Sequence, residues 1–110
     1  MAFTPYHNIT GSTGVDVELI APGENVGVVK SIMITNTHAT ADATVSLFIQ
    51  DDPTAAVAST FYIISTIAIP SDTSLLLDNS TVLSFDNSSN GYGLYLTVGS
   101  SDTLDVMINR

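Results

Sequence analysis

From residue 28 onward the chain alternates apolar segments with short polar loops almost without interruption. The apolar segments fall at 28–35, 43–50, 60–69, 74–77, 81–85, 92–98 and 103–108, each rich in Val, Ile, Leu, Thr, Tyr or Phe. They are shorter than an average helix, and such residues suit a pleated, half-buried surface. Several alternate with a period of two. Val45, Leu47 and Ile49 lie opposite Thr44, Ser46 and Phe48, while Leu94, Leu96 and Val98 lie opposite Tyr95 and Thr97. Leu104, Val106 and Ile108 repeat the pattern in the last segment. A strand over 26–37 puts Val28, Ile32 and Ile34 on one face, with Val29, Ser31, Met33 and Thr35 on the other. The residues on the first-named faces form the expected core. Lys30 falls on the Ile32 face, either snorkelling at the sheet margin or pairing with a carboxylate.

The punctuation agrees with strands. Val15, Val17 and Leu19 alternate with Asp16 and Glu18, and Ala21-Pro22-Gly23-Glu24 then turns the chain. Pro53, after Asp51 and Asp52, breaks the 43–50 strand because proline cannot join a central ladder. Residues 55–58 could form a short helical turn or a loop. The 60–69 segment is apolar on both faces and reads as a central strand, or as one covered by a neighbour. Asn90-Gly91 before alternating apolar residues is the strongest local hairpin signal. The expected fold is all-β: a single antiparallel β-sandwich of eight or nine short strands, jelly-roll or immunoglobulin-like. The Cys–Trp–Cys core of a true immunoglobulin domain is missing, since the chain has neither residue. Residues 13–110 form the sandwich domain, and residues 1–12 form an N-terminal arm or an edge strand.

Composition narrows the function. A chain of 110 residues that is 45% hydrophobic makes one domain with a packed core. Two basic residues, Lys30 and Arg110, face eleven acidic ones, for a net charge of −9. Phosphate binding needs clustered Lys and Arg, so nucleic acid is not an expected partner, nor is an anionic membrane. No apolar run approaches the roughly 20 residues that span a bilayer. The start carries no basic and apolar leader, so no signal peptide is expected. Without cysteine there is no disulfide or thiol chemistry, which fits synthesis in a reducing cytoplasm. Charged residues make up only 12% of the chain, leaving Ser, Thr, Asn and backbone to cover the surface. Such a surface lacks the Lys and Glu that interfaces tend to exclude, and it points to assembly.

Catalytic signatures are missing. His7 and His38 are the only histidines and form no local metal-ligand pair. Ser, His and Asp occur without a nucleophile elbow, and no phosphate-binding glycine loop is present. Asp51, Asp52, Asp78, Asp86 and Asp102 collect in loops, where calcium binding competes with the commoner role of aspartate in shaping turns. Asn8-Ile9-Thr10, Asn79-Ser80-Thr81 and Asn87-Ser88-Ser89 match the glycosylation sequon, which chance explains in a chain this rich in Ser, Thr and Asn. Tyr62, Tyr92 and Tyr95 could stack sugars, but core or interface packing is the better account. No catalytic, cofactor-binding or metal residue is assigned, no cofactor is expected, and the chain is read as non-enzymatic.

The run Val29-Lys30-Ser31-Ile32-Met33-Ile34-Thr35-Asn36-Thr37, then Ala43-Thr44-Val45-Ser46-Leu47-Phe48-Ile49, resembles a pattern in small virion structural proteins of tailed bacteriophages. Phe61-Tyr62-Ile63-Ile64, Ile69-Pro70 before Ser74-Leu75-Leu76-Leu77, Gly93-Leu94-Tyr95-Leu96 and Leu104-Asp105-Val106 continue it. The resemblance covers residues 26 to 108 and is one of strand grammar rather than a catalytic motif. It implies a capsid decoration (cement) protein or a neck, tail or fibre component. A decoration protein is favoured because a short uninterrupted domain suits repeated binding to one shell. A carbohydrate-binding β-sandwich module is the alternative from another class. The expected partner is the major capsid protein, with the chain a homo-oligomer, possibly a trimer, made in the host cytoplasm and carried in the virion. Phe3, Pro5 and Tyr6 are the candidate assembly contacts, because ordering an arm costs roughly 1–2 kcal/mol per residue and needs a surface to offset it.

Overall fold

In a computed structural model of the chain, residues 4–12, 15–51, 59–79, 83–88, 91–99 and 101–110 are described. They form eight strands: β1 (Tyr6–Thr10), β2 (Asp16–Ile20), β3 (Ser31–Asn36), β4 (Ala43–Gln50), β5 (Thr60–Ile69), β6 (Ser74–Leu77), β7 (Gly93–Val98) and β8 (Thr103–Asn109). One sheet has the order β1-β8-β3-β6 and the other β2-β7-β4-β5, and all pairings are antiparallel. First pairs with last, second with seventh, third with sixth and fourth with fifth. The chain is thus one long hairpin, folded back at β4–β5 and wound across two sheets, which is the jelly-roll form of the sandwich.

Alternation explains how the sheets meet. Ile32 and Ile34 of β3, Val45 and Leu47 of β4, Leu94, Leu96 and Val98 of β7, and Leu104, Val106 and Ile108 of β8 are all buried between them. Ile9, Leu19, Ile20, Val26, Val29, Ala43, Ile69 and Leu83 complete the core. Every residue expected inside is buried except two. Ile49 is half-buried against the core, and Val28 is 55% exposed.

Val28 fails because the expected strand does not begin at residue 26. Asn25 and Gly27 have φ of 53° and 77°, in the left-handed region that interrupts an extended chain. The break turns Val26 and Val29 inward in place of Val28, and β3 begins only at Ser31. Lys30 is exposed beside it.

Two further expectations change. Of the 81–85 segment, residues 83–85 are not a strand: the Leu83 N–H bonds the Asn79 carbonyl in a turn, and its side chain plugs the core. Its first two residues lie outside the described ones, as do the helical turn considered at 55–58 and Asn90 of the expected hairpin. The 60–69 strand is not central. β5 is the outer strand of its sheet, with Phe61 and Tyr62 exposed. Its register against β4 slips twice, between Val45 and Leu47 and between Leu47 and Phe48. Thr66 sits at φ 53° within this irregularity, its N–H bonded to Ser46 Oγ at 2.8 Å. Such bulges bend and twist an edge strand.

Candidate functional site

The loops that gather polar residues are occupied with holding the chain together. Asp51 Oδ1 accepts the Ser59 N–H at 2.6 Å, Asp86 Oδ1 the Ser88 N–H at 3.0 Å, and Asp102 Oδ2 the Thr44 N–H at 3.0 Å. The Ser88 backbone and side-chain donors hold the Asp86 carboxyl below the ordinary carboxylate range. A depressed carboxyl stabilises the fold above its unfolded pKa, and that contribution fades as pH falls through the folded value. Asp52 lies outside the described residues. Among the described residues no group of three or more His, Asp and Glu side chains could hold a metal ion. His7 Nε2 lies 3.0 Å from the Thr4 carbonyl, and His38 Nδ1 accepts the N–H groups of Thr40 and Ala41 at 3.1 Å each. His7 therefore ties β1 to the residue stretch before it, and His38 serves its own loop.

Two buried asparagines, Asn36, which the sequence left as a loop residue, and Asn87, which it marked only as a sequon, are the polar hubs of the fold. Asn36 is fully buried; its Nδ2 donates to the carbonyls of Ala41 and Ile69 at 2.9 Å, and its Oδ1 accepts the His38 N–H at 3.0 Å. One side chain thus ties the β3–β4 loop to the end of β5. Asn87 does the same elsewhere, donating to Ala21 and Tyr92 carbonyls and accepting the Val26 N–H. Its burial and full bonding leave no access for a glycan at that sequon. Asn36→Ala would remove three hydrogen bonds to backbone groups at a buried site, and is expected to cost about 2–3 kcal/mol in a urea melt. An unchanged midpoint would show that the loop is held by something else.

The tyrosines do not form a common platform. On the outer face of the β2-β7-β4-β5 sheet, Glu18, Tyr95, Phe48 and Tyr62 fall in one row across the strands. Tyr95 is buried, stacked on Phe48 at 5.9 Å and 20°, with its hydroxyl donating to Glu18 Oε2 at 3.2 Å. Only Tyr62, tilted against Phe48 at 5.2 Å, is largely exposed. Tyr92 meets the edge of Phe61 at 5.9 Å.

Apart from Val15 and Val28, the large apolar side chains exposed among the described residues lie in two places. One is β5, which carries Phe61, Tyr62 and Ile67 on the outer strand of its sheet, with no further strand beyond it among the described residues, and no charged residue along its ten positions. The other is a row across the outer face of the opposite sheet. Tyr6 stands beside Met107, Met107 beside Met33, and Met33 beside Leu76, in register across β1, β8, β3 and β6. Tyr6, Leu76 and Met107 are 70%, 55% and 41% exposed. Of the candidate assembly contacts, Tyr6 belongs to this row. Pro5 accepts the Ile108 N–H through its carbonyl at 2.8 Å, and Phe3 lies outside the described residues. The segment Tyr6–Thr10 takes the edge-strand form, paired along its length with β8. The row was missed because its members come from four separate strands. Its signal was apolar Met33 and Met107 at outward positions, where polar residues are the rule.

No protein-family model and no curated protein matches the sequence.

Proposed function

We propose that this chain is a non-enzymatic structural protein of a bacteriophage virion, a capsid decoration protein that cements the shell by protein–protein contacts. Its partner is the major capsid protein, it acts as a homo-oligomer, and it is made in the host cytoplasm and ends in the virion. The observation that carries the reading is the open edge of β5. An edge strand presents unpaired N–H and C=O groups, which natural sheets protect with charge or brevity. The other outer strands follow that rule in part: β2 carries Asp16 and Glu18, and β6 has four residues. β5 has ten residues and no charge, with apolar side chains exposed beside its backbone. Such an edge accepts a strand from a partner, and repetition over a shell multiplies weak contacts. Jelly rolls also build viral capsids, a supporting analogy at the level of fold alone.

A neck, tail or fibre component would use the same edge in few copies. Quantitative mass spectrometry of purified virions separates these readings. The decoration reading expects this chain in a fixed, high ratio to the major capsid protein. A few copies per particle would move it to the neck or tail, and its absence would overturn the virion reading. The carbohydrate-binding alternative has weaker support, since only one of the three tyrosines presents its ring to solvent. Ala68→Lys, at an exposed β5 position opposite exposed Thr44, tests the edge itself. A charge on an edge strand opposes strand addition at little cost to an exposed site, about 0.5 kcal/mol or less. The variant is expected to keep its melting temperature while its occupancy on the particle falls. Full occupancy would place the contact elsewhere.

A further inference from the structure

We propose that the strand docking on β5 is held through the backbone groups of Thr60, Tyr62 and Ala68, and that it is an extended, uncharged segment of the major capsid protein. This rests on the docking role proposed above and names the atoms that carry it. In an antiparallel ladder, opposed residues alternate between pairs that exchange hydrogen bonds and pairs whose N–H and C=O groups point away from each other. Two bonds near the ends of β4 fix the alternation. The Asp51 N–H donates to the Ser59 carbonyl at 3.1 Å, one step beyond the Gln50–Thr60 pair. On the other side of β4, the Gly99 N–H donates to the Thr44 carbonyl at 2.9 Å, so Thr44 is turned toward β7 and away from β5. Thr60 and Tyr62 at the first end, and Ala68 opposite Thr44 at the second, therefore direct their N–H and C=O groups away from β4. No further strand lies on that side among the described residues.

The bulges divide this edge into two windows. Between them, the Thr66 N–H is taken by Ser46 Oγ at 2.8 Å. Beyond the second window, Pro70 has no N–H to offer. Thr60 and Tyr62 are thus the anchor, and Ala68 is the far end. The side chains agree. Phe61 lies opposite Ile49 and Tyr62 opposite Phe48, so the two rings stand on opposite faces of the sheet. Phe61 meets Tyr92 and Tyr62 meets Phe48, yet both rings stay more than half exposed. A strand added at the usual spacing of about 4.8 Å places a side chain beside each ring. A charge in that place would lose water and find no partner on β5, so the segment that fits is uncharged. A second copy of this chain is the poorer occupant, because each copy brings a net charge of −9 to another of −9.

Proline substitution tests the alternation. Thr60→Pro deletes an N–H that points off the sheet, at the first residue of a strand, where proline is tolerated. Thr60→Ala is its control, since both lose the 2.7 Å bond from Gln50 Nε2 to Thr60 Oγ1 but only the proline loses the N–H. The two variants are expected to melt within about 3 °C of each other. Phe61→Pro, which deletes a bond to β4, should melt at least about 8 °C lower. On purified virions, quantified by mass spectrometry, Thr60→Ala should keep its occupancy. That of Thr60→Pro should fall at least about tenfold, as one lost backbone bond with an acceptor left unpaired allows. Amide hydrogen exchange at single-residue resolution reads the same contact in the unaltered chain. Thr60, Tyr62 and Ala68 should exchange at least about tenfold more slowly on the particle than in the free chain, while Phe61 and Ile67 change little. A chain absent from the particle would overturn the docking role and this assignment together. A chain present on it, with Thr60 and Tyr62 exchanging as in the free chain, would overturn the assignment alone. So would full occupancy of Thr60→Pro, or a Thr60→Pro variant less stable than Phe61→Pro. A free chain that dimerises in sedimentation, and loses the dimer on Thr60→Pro, would give the edge to a second copy instead.

Discussion

Removing residues 1–12 is expected to abolish cooperative folding or to lower stability by at least about 4 kcal/mol. β1 pairs with β8 over five positions, from Tyr6–Met107 to Thr10–Thr103, and Ile9 is buried in the core. The Ile108 N–H donates to the Pro5 carbonyl, the Gly11 N–H to the Asp102 carbonyl, and the Ser101 N–H to the Gly11 carbonyl. Gly11 also lies so close to the Gly99 carbonyl that any side chain there would collide with it. Loss of the segment strips a full strand from one sheet and exposes the flank of β8, whose Leu104 and Val106 are buried. Burying one isoleucine contributes about 2–3 kcal/mol, and each net backbone hydrogen bond about 1 kcal/mol. Against a typical total of about 5–15 kcal/mol, little would remain. A urea titration of the truncated chain checks this. A midpoint equal to that of the full chain would mean that the segment is an arm independent of the core.

Leu96→Ala is expected to cost about 4 kcal/mol, in the upper part of the range for buried leucine truncations. Leu96 is fully buried at the centre of its sheet, opposite Val17 on one side and Leu47 on the other. Rigid strands on both sides limit how far the site can collapse, so most of the deleted volume stays as cavity. Chemical denaturation gives the comparison directly. A loss below about 1.5 kcal/mol would indicate a loosely packed sandwich that relaxes into the space.

Period-two alternation made the central strands readable. At Leu94, Leu96 and Val98, and again at Leu104, Val106 and Ile108, only the inward positions carry aliphatic residues, so face and core follow from pattern alone. The alternation misled where local backbone conformation broke it. Asn25 and Gly27 are residue types that favour left-handed dihedrals, but a period-two reading of 26–34 passes over them, so Val28 and Val29 were assigned to the wrong sides. β5 misled in another way. An apolar strand is usually buried on both faces, and a hydrophobic strand at an open edge looks the same in sequence. On the proposed docking role, the residues of β5 that resemble core are the ones that meet the partner. The row from Tyr6 to Leu76 was illegible for a topological reason: its members are separated by up to 101 positions (107 minus 6) and meet only once β1, β3, β6 and β8 are ordered. Asn36 and Asn87 resembled loop residues, and only the closure of the sandwich buries them.

The proposed docking role is tested most directly by cryo-electron microscopy of the virion proposed to carry this chain. It predicts density for the jelly-roll sandwich at every equivalent position on the shell, with the β5 edge against the major capsid protein. Density for the chain confined to the neck or tail, or a fully resolved shell without it, would contradict the decoration role.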